Sequence, residues 1–562
     1  MKPLRLLAVL TCLCLLAVSA IWWNWPHKVD MASYAPADAL VYIELNSIED
    51  VSNAIKQGEV FKAISSLSGV NSNPPSRWSI WVARAGLAPA QSVVFARAQM
   101  ALVVVDIDRQ TNGDALRVKP EAALIVETQT ARWRMKSVAL DRVKQLAQFA
   151  YGASECTENE YIECKESRGS RKIVAAVDGS TVIIGNSDKA VQSCLAVRHG
   201  QRPNLSSDPE FTRNRTSLKG ESSLAFGYVS QANAARLVSL AVPLLIGKEP
   251  GDSNFETLLS NSAGKILRGI AWTTRSVNGM IEDHYQVYLD QEVVKRLGPA
   301  FQISDQPDDT AWHLVPAAFR AVTMYRSADP QAAWASLTSA LSMKLDAVST
   351  VLIASLLKSS LSHYGVENPR EFLATMTAPL MTIRPVLGDE SLFLGRVKDE
   401  EQLRKVLAPI IKEGKAQVLN GPDDQPTRDK EFTALFTSGF LVLGKTENML
   451  VYLDQLRNGE TVTPDRTRSF VLGQFPGAAV VTYTNERDSV GSTSAVLTRL
   501  SGRSVSPAEL QRIEDRIAHI VISSTDTRLN ENGIDRRTQS AFGQFGNLLS
   551  LAVADSSTSN QK

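Results

Sequence analysis

The chain has 562 residues, of which 44% are hydrophobic and 21% charged, enough for two or three domains that each bury a core. This composition excludes wholesale disorder, and the ordinary content of glycine and proline excludes collagen-like and low-complexity classes. The 60 basic and 59 acidic residues leave a formal charge of +1, which argues against a nucleic-acid partner.

The first predicted element is a membrane-engaging helix. Lys2 and Arg5 precede an uncharged stretch, residues 6–23, whose length is near the minimum for a bilayer span. Cys12 and Cys14 lie in this stretch without the flanking pattern that lipoprotein processing requires. We therefore interpret both thiols as packing groups of the helix.

Two features bear on whether this leader is cleaved. Residues 18–20 fit the small-residue rule for signal peptidase, so cleavage is the alternative. An aromatic cluster suits a membrane interface and favours an uncleaved anchor: Trp22, Trp23 and Trp25. We predict a single-pass protein of the inner membrane, with residues 1–33 as signal-anchor and short stalk and the bulk of the chain on the periplasmic side.

The chain contains an internal repeat at a constant offset of 259 residues. Residues 178–200 align without a gap to residues 437–459, and each copy predicts a strand, a glycine, a capping hydroxyl and an eleven-residue helix. The capping hydroxyls are Ser187 and Thr446. The matched glycines are Gly185 with Gly444 and Gly200 with Gly459, the second pair placed for left-handed helix caps.

The same relation extends outward in both directions. A strand leading into a helix is predicted after Pro36 and again after Pro316. Near the far end of each copy, two alternating runs are joined through Asn-Gly, at Asn278-Gly279 and at Asn532-Gly533, which is a strong hairpin signal.

These patterns predict an α+β fold with two tandem similar domains after the anchor. Each domain is expected to be an antiparallel sheet packed with helices on one side. The predicted segments are a first repeat domain, a linker, a second repeat domain and a flexible tail: 34–298, 299–311, 312–552 and 553–562.

The opening PADALVYIEL after an anchor, and the stretch VLGDESLFLGRVKDEEQLRKVL from Val386, resemble a family of bacterial cell-envelope proteins. It is the domain-of-unknown-function family number thirty-three fifty-two. The first half departs from the family pattern near Phe95, where FARAQMALVVV replaces an expected Gly-Asp-Glu. The resemblance implies an envelope location and brings no catalytic residues.

One cross-link is predicted. Cys156 and Cys164 are separated by seven residues and could face each other across a short hairpin in an oxidising compartment, which makes them a disulfide candidate. Metal binding by this pair is the weaker alternative, because no histidine lies nearby to complete a zinc site. Cys194 aligns with Leu453 and is interpreted as a core residue.

The sequence does not supply the usual motifs of enzymes. Six histidines are scattered singly: His27, His199, His284, His313, His363 and His519. Ser-x-x-Lys occurs at Ser262 and Ser355 without the further motifs of penicillin-binding enzymes. Asp106 and Asp108 before Asn112-Gly113 invite a calcium-loop interpretation, but a hairpin is favoured. We predict no catalytic, cofactor-binding or metal residue and expect no cofactor.

Three functions remain, in order of preference. The first is a non-enzymatic envelope protein that binds or scaffolds a partner: an unidentified envelope protein, the cell wall or lipid. The second is a carrier for a hydrophobic ligand, for which apolar stretches at 334–361 and 237–246 are candidate linings. The third, a hydrolase or transpeptidase-like enzyme, would require perturbed ionisable groups converging in a cleft.

Overall fold

The computed structural model describes thirteen stretches of chain and the single residues 25, 169, 357 and 508. The stretches are 27–62, 77–84, 89–112, 115–130, 132–152, 154–167, 171–245, 263–303, 309–343, 361–386, 390–463, 477–486 and 522–546. The predicted anchor at 6–23, with Cys12 and Cys14, and the tail 553–562 lie outside them. Within the described residues, no helix is both long and apolar enough to cross a membrane.

These residues form an α+β structure dominated by antiparallel β-sheet, as the sequence predicts. The chain divides into two compact units, which we call unit 1 (residues 1–233, 271–280 and 548–562) and unit 2 (residues 234–270 and 281–547). Both units are discontinuous in sequence, whereas the predicted domains are successive stretches. The domain limits therefore stay predictions.

The elements of unit 1 are eight strands and six helices among the described residues. The strands are β1 (Val41–Leu45), β2 (Gln99–Asn112), β3 (Ala115–Glu127), β4 (Ser154–Glu158), β5 (Ile162–Glu166), β6 (Lys172–Asp178), β7 (Thr181–Gly185) and β8 (Ala225–Ser230). The helices are α1 (Ile48–Gln57), α2 (Arg77–Arg84), α3 (Ala90–Arg97), α4 (Arg132–Tyr151), α5 (Asp188–Arg198) and α6 (Pro209–Ser217).

Three elements contain residues of both units: α7 (Gln231–Leu245), β9 (Leu267–Val277) and β10 (Met280–Leu289), which begins with Met280 of unit 1. The strands that follow are β11 (Phe319–Tyr325), β12 (Met376–Pro385), β13 (Leu392–Val397), β14 (Ala416–Leu419), β15 (Phe432–Thr437), β16 (Phe440–Lys445), β17 (Val480–Asn485), β18 (Ile522–Asn530) and β19 (Gly533–Ser540). The helices are α8 (Gln291–Leu297), α9 (Pro330–Ser342), α10 (Pro369–Ala374), α11 (Glu400–Lys412) and α12 (Thr446–Arg457).

The strand pairings give each unit a continuous order. In unit 1 the order is β4-β5-β6-β7-β3-β2-β1-β8, and every pair is antiparallel. In unit 2 the order is β10-β19-β18-β17-β11-β12-β13-β16-β15-β14. The last pair, β14 with β15, is parallel, which the sequence patterns do not predict.

Equivalent strands of the two units pair in the same register. Val174 pairs with Gly185 and Thr433 with Gly444, which preserves the offset of 259. Further along each sheet, the strand pairings correspond as well. Tyr42 of β1 pairs with Val103 and Tyr228 on its two neighbouring strands, and Val322 of β11 pairs in the same way with Ile383 and Tyr483.

In unit 2, helices cover both faces of the sheet at β13 and β16, so the expectation of one covered side is wrong there. In unit 2, α12 packs Met449 with Leu392 and Val442 on one face, while α11 packs Leu403 with Phe393 and Leu443 on the other. Neighbouring residues of a strand point to opposite faces, and β16 is apolar at both, so each face needs its own cover.

The predicted helix caps are confirmed at the glycines. Gly200 and Gly459 have φ of +71° and +70°. In each case the following amide, of Gln201 or Glu460, donates to a carbonyl five residues back, which is the Schellman arrangement. The capping hydroxyls differ: Ser187 accepts from the Ala190 amide, whereas Thr446 is already helical.

The two Asn-Gly turns also differ. Asn278 and Gly279, with φ of +52° and +76°, connect β9 to β10 as predicted. The assignment of the second turn to Asn532-Gly533 is wrong, because Asn530 pairs with Gly533 and the turn is residues 531–532. Gly533 is needed elsewhere: a Cβ at this position would lie 2.2 Å from the Val287 carbonyl oxygen.

Residues 27–33, assigned to a short stalk, pack within unit 1. Met31 and Ala32 are buried. Asp30 accepts a 2.8 Å hydrogen bond from Arg215, whose guanidinium also contacts Glu44 at 2.8 Å. Burial raises the pKa of Glu44, opposed by the charge of Arg215.

Candidate functional site

The candidate disulfide residues are brought together. Cys156 and Cys164 are directly opposed on β4 and β5 and form a disulfide. Cys164 packs with Val143 and Ala147 of α4, so the cross-link lies at a small hydrophobic cluster. Cys194 is buried, and burial raises the pKa of its thiol to about 12, which suits a packing role.

Most motifs considered in the sequence do not converge. Ser262 and Ser355 lie outside the described residues. Asp106 forms a 2.6 Å ion pair with Lys189, and Asn112 pairs with Ala115, so the calcium-like segment is a hairpin. Among the described residues no group of three or more His, Cys, Asp or Glu could hold a metal ion.

Two of the described histidines lie near a carboxylate: exposed His199 is 3.6 Å from Asp178, and His284 is part of a tighter cluster. His284 Nε2 lies 2.7 Å from Asp535 Oδ1, and Arg528 Nη2 contacts the other carboxylate oxygen at 2.6 Å. Burial alone would raise the pKa of Asp535, but these hydrogen bonds hold it at about 2. The cluster is a satisfied charge network between strands.

The strongest candidate site is a cleft in unit 2, which we call the polar cleft. Its volume is about 680 Å³. Its floor is one face of the sheet, and its lining is Asp283, Tyr285, Arg320, Ala321, Arg384, Thr484, Asn485, Glu486, Ser523, Thr525, Arg536, Thr538, Ser540, Phe542, Gly543 and Gly546. Short hydroxyl side chains leave the space that larger residues would fill.

The floor is organised by strand register. Successive strands place Thr382, Thr323, Thr482, Thr525 and Thr538 in one cross-strand row, which ends at Asp283 of β10. We call this the threonine row. Thr525 and Thr538 line the polar cleft, and the row continues from it over β17, β11 and β12. Hydroxyls of neighbouring strands bond in pairs, Thr323 with Thr482 and Thr525 with Thr538, both at 3.0 Å.

Two carboxylates, of buried Asp283 and partly buried Glu486, hold the chain segment 541–546 at one wall. Glu486 Oε2 accepts from the Ala541 amide at 3.0 Å, and Asp283 Oδ2 accepts from the Gln544 amide at 2.9 Å. Ser540 Oγ accepts from the Gly543 amide at 2.9 Å. The side chain of Gln544 also donates to the Tyr285 hydroxyl.

Burial shifts two ionisable groups of the polar cleft. It raises the pKa of Glu486 to about 7, with a contribution from the charge of Asp283, while the Ala541 amide and the Ser523 hydroxyl oppose the shift. It raises the pKa of Tyr285 to about 12 for the same two reasons. A carboxyl that titrates near neutrality is a feature of functional clefts and also of buried structural groups.

Arginines supply the remaining charge. Arg384 and Arg536 are exposed, and Arg384 stands directly opposite Ala321 on the next strand. Arg320 lies at the β-bulge between Phe319 and Ala321, beside Arg384. The lining thus carries three guanidinium groups, and its two carboxylates already accept backbone amides.

A second pocket, of about 510 Å³, adjoins the predicted apolar stretch 334–361. Trp334 and Leu357 share its lining with Thr338, Glu367, Asn368, Pro369 and Arg370. The lining is therefore mixed rather than apolar. Helix α9 ends at Ser342, and residues 344–356 lie outside the described part of the chain.

Sequence motifs could not identify the polar cleft, because its residues come from six separate segments of the chain. A weaker signal was present: β18 reads ISSTDTRLN, which is polar at both alternating positions and therefore unlike a strand with one core face.

No family model, no curated protein and no solved structure matches this chain. The resemblance to envelope proteins therefore rests on the sequence patterns alone, and function is argued from the geometry above.

Proposed function

We propose that this protein is a membrane-tethered, non-enzymatic binding protein of the cell envelope, and that the polar cleft is its ligand site. The observation that carries the proposal is a recess on a sheet face lined by hydroxyl, guanidinium and carboxylate groups. Core-facing strands bury apolar side chains, so a polar recess of this size is suited to a polar ligand.

We further propose that the two units are tandem copies of one ancestral unit. The shared registers at Gly185 and Gly444, and at Tyr228 and Tyr483, support this origin. After a duplication, one sheet can keep apolar residues on both faces while the other gains polar residues on an accessible face.

We prefer binding to catalysis because the two carboxylates of the polar cleft already accept hydrogen bonds from the backbone of the protein. Glu486 and Asp283 each accept a backbone amide of the segment 541–546, which orients them toward that segment. Binding of a polar ligand is preferred to lipid transport because the polar cleft has polar groups on its floor and walls.

Native mass spectrometry of the full chain, extracted in detergent from its own envelope, tests this function. We expect a retained ligand mass that is lost in the double variant Arg384→Gln/Thr484→Val. The matched control is Arg213→Gln/Thr157→Val, which changes an exposed arginine of α6 and an exposed threonine of β4.

Two results would contradict the proposal. Equal retention of the ligand by both double variants would place it outside the polar cleft. Retention of phospholipid alone, unaffected by the cleft substitutions, would favour the hydrophobic-ligand carrier.

A further inference from the structure

We infer that the ligand of the polar cleft is an oligosaccharide that carries an anionic group. The juxtaposition behind this inference is a cross-strand row of hydroxyls with an arginine pair at one side. It rests on the proposed function, because it names the ligand class of the same site.

On the floor of the polar cleft, side chains are available to bind a ligand, whereas backbone hydrogen-bonding groups are not. The strands β11, β17, β18 and β19 each pair on both sides, so their backbone amides and carbonyls are engaged in the sheet. A peptide that binds as an added strand needs an unpaired sheet edge. A ligand on this face must therefore be recognised by outward-pointing side chains.

The threonine row gives the ligand a direction. Adjacent strands lie about 4.8 Å apart, so five threonines on five strands span about 19 Å. Thr382, Thr323 and Thr482 are partly exposed. A chain of sugar rings presents hydroxyls repeatedly along its length and can follow such a row.

The hydroxyls keep bonding capacity for a ligand. Each threonine hydroxyl has one donor and two acceptor sites, and each bonded pair uses only one donor and one acceptor. The lining also contains an amide, a guanidinium that can only donate hydrogen bonds, and a carboxyl, from Asn485, Arg536 and Glu486. A sugar hydroxyl both donates and accepts, so a lining of mixed character suits it.

The charge of the lining favours an anionic sugar. Arg320 and Arg384 are adjacent at the β11–β12 side of the polar cleft, and guanidinium groups form strong charge-assisted hydrogen bonds with carboxylates and phosphates. Glu486 and Asp283 lie toward the other wall, where they hold residues 541–546. A carboxylate of the ligand is thus expected at Arg384.

Isothermal titration calorimetry of the full chain in detergent micelles tests this inference. The probes are a tetramer of galacturonic acid, the neutral sugar cellotetraose and the acidic peptide tetraglutamate. We expect the acidic sugar to bind best and Arg384→Gln to weaken it about tenfold or more. Thr482→Val should weaken both sugars, whereas the control variants Arg213→Gln and Thr157→Val should weaken neither.

The possible outcomes separate this inference from the proposed function. Equal affinity for both sugars, or tighter binding of tetraglutamate, would overturn the inference and leave a cleft that binds ligands. Absence of sugar binding, together with a native ligand that the double variant Arg384→Gln/Thr484→Val loses, would also overturn the inference alone. Absence of any ligand sensitive to the cleft substitutions would overturn both.

Discussion

Strands β8 and β17 occupy the same place in their sheets but face different surroundings. β8 is buried along both faces, from Ala225 to Val229. β17 alternates between buried and partly exposed residues, and its partly exposed face carries Thr482 and Thr484. The same sheet position is thus core in unit 1 and part of a polar surface in unit 2.

Single positions account for much of this contrast. Gly227 of β8 corresponds in register to Thr482, and the Trp272 ring lies 2.0 Å from where a Cβ at Gly227 would be. The aromatic ring therefore occupies the space in which unit 2 has a threonine side chain. Ile43 likewise corresponds to Thr323. The comparison teaches that one face of a sheet can differ between apolar and polar while the local strand order and register stay the same.

The opposite face reverses the contrast. Glu44 of β1 corresponds to Met324 of β11, which lies in a hydrophobic cluster. Unit 1 instead buries Glu44 with Arg215 and Tyr42, and the tyrosine hydroxyl donates to Glu44 at 2.7 Å. Unit 1 thus has its buried charge where unit 2 has apolar core.

The largest expected effect comes from breaking this buried pair. Arg215→Ala leaves Glu44 buried without its cation and should lower the free energy of unfolding of unit 1 by about 3–5 kcal/mol. The double variant Glu44→Met/Arg215→Met installs the apolar character of unit 2 and should recover most of the loss. The stabilities of both variants can be measured by chemical denaturation, with hydrogen exchange of the β1 amides as the probe of unit 1. A double variant as unstable as Arg215→Ala would show that the charge itself is required.

The second prediction concerns the pH dependence of stability at Glu486. This residue follows Tyr483 by three positions, as Gln231 of unit 1 follows Tyr228. The raised pKa means that the folded protein keeps the Glu486 proton to about pH 7, whereas the unfolded chain loses it near the ordinary value of 4.5. Stability from this group is therefore full below pH 4.5, falls as pH rises and is lost above pH 7.

Glu486→Gln removes this titration and keeps an acceptor for the Ala541 amide. At pH 8 the variant should exceed the parent protein in stability by about 3 kcal/mol, with little difference at pH 4. Thermal unfolding across this pH range measures the difference. A variant with unchanged pH dependence would show that Glu486 has the same pKa in the folded protein as in the unfolded chain.

The disulfide sharpens a third contrast. β5 pairs antiparallel with β6 and is cross-linked to β4, whereas β14 pairs parallel with β15 at the corresponding place in unit 2. Replacing both Cys156 and Cys164 by alanine should lower the stability of unit 1 by about 2.5 kcal/mol, because a short loop is no longer closed in the unfolded chain. Differential scanning calorimetry with and without reductant checks this, and Cys194→Ala serves as the thiol control. A variant as stable as the parent would assign the cross-link no thermodynamic role.

Local chemistry made part of this fold predictable from sequence. The cap glycines Gly200 and Gly459 and the Asn278-Gly279 turn depend on backbone conformations that few other residues adopt. The second turn was misplaced because Gly533 serves a close approach to β10, a contact that the local sequence does not reveal. Thr446 was misassigned as a cap because its hydroxyl bonds instead to Thr433 on β15, at 2.9 Å.

The polar cleft was not predictable for a related reason. The threonine row, part of which forms its floor, is spread over five strands, and only the registers of those strands place these residues in one row. Each threonine alone is an ordinary β-strand residue. The raised pKa of Glu486 likewise depends on burial in the folded chain and on the charge of Asp283, which is distant in sequence.

The smallest expected change in stability comes from exchanging Gly227 of unit 1 and Thr482 of unit 2, which occupy equivalent positions in their sheets. Gly227→Thr places a side chain where the Trp272 ring lies, and overpacking of this kind should cost about 2 kcal/mol. Thr482→Gly in unit 2 removes one hydroxyl hydrogen bond and leaves the neighbouring core intact, so it should cost about 1 kcal/mol. Once Trp272→Ala has removed the ring, adding Gly227→Thr should cost little more, because the overlap is gone. Denaturant unfolding of the full chain separates these cases. If Gly227→Thr is tolerated as well as Thr482→Gly, then Trp272 yields easily, and the closed face of unit 1 is set by its helices instead of by this ring.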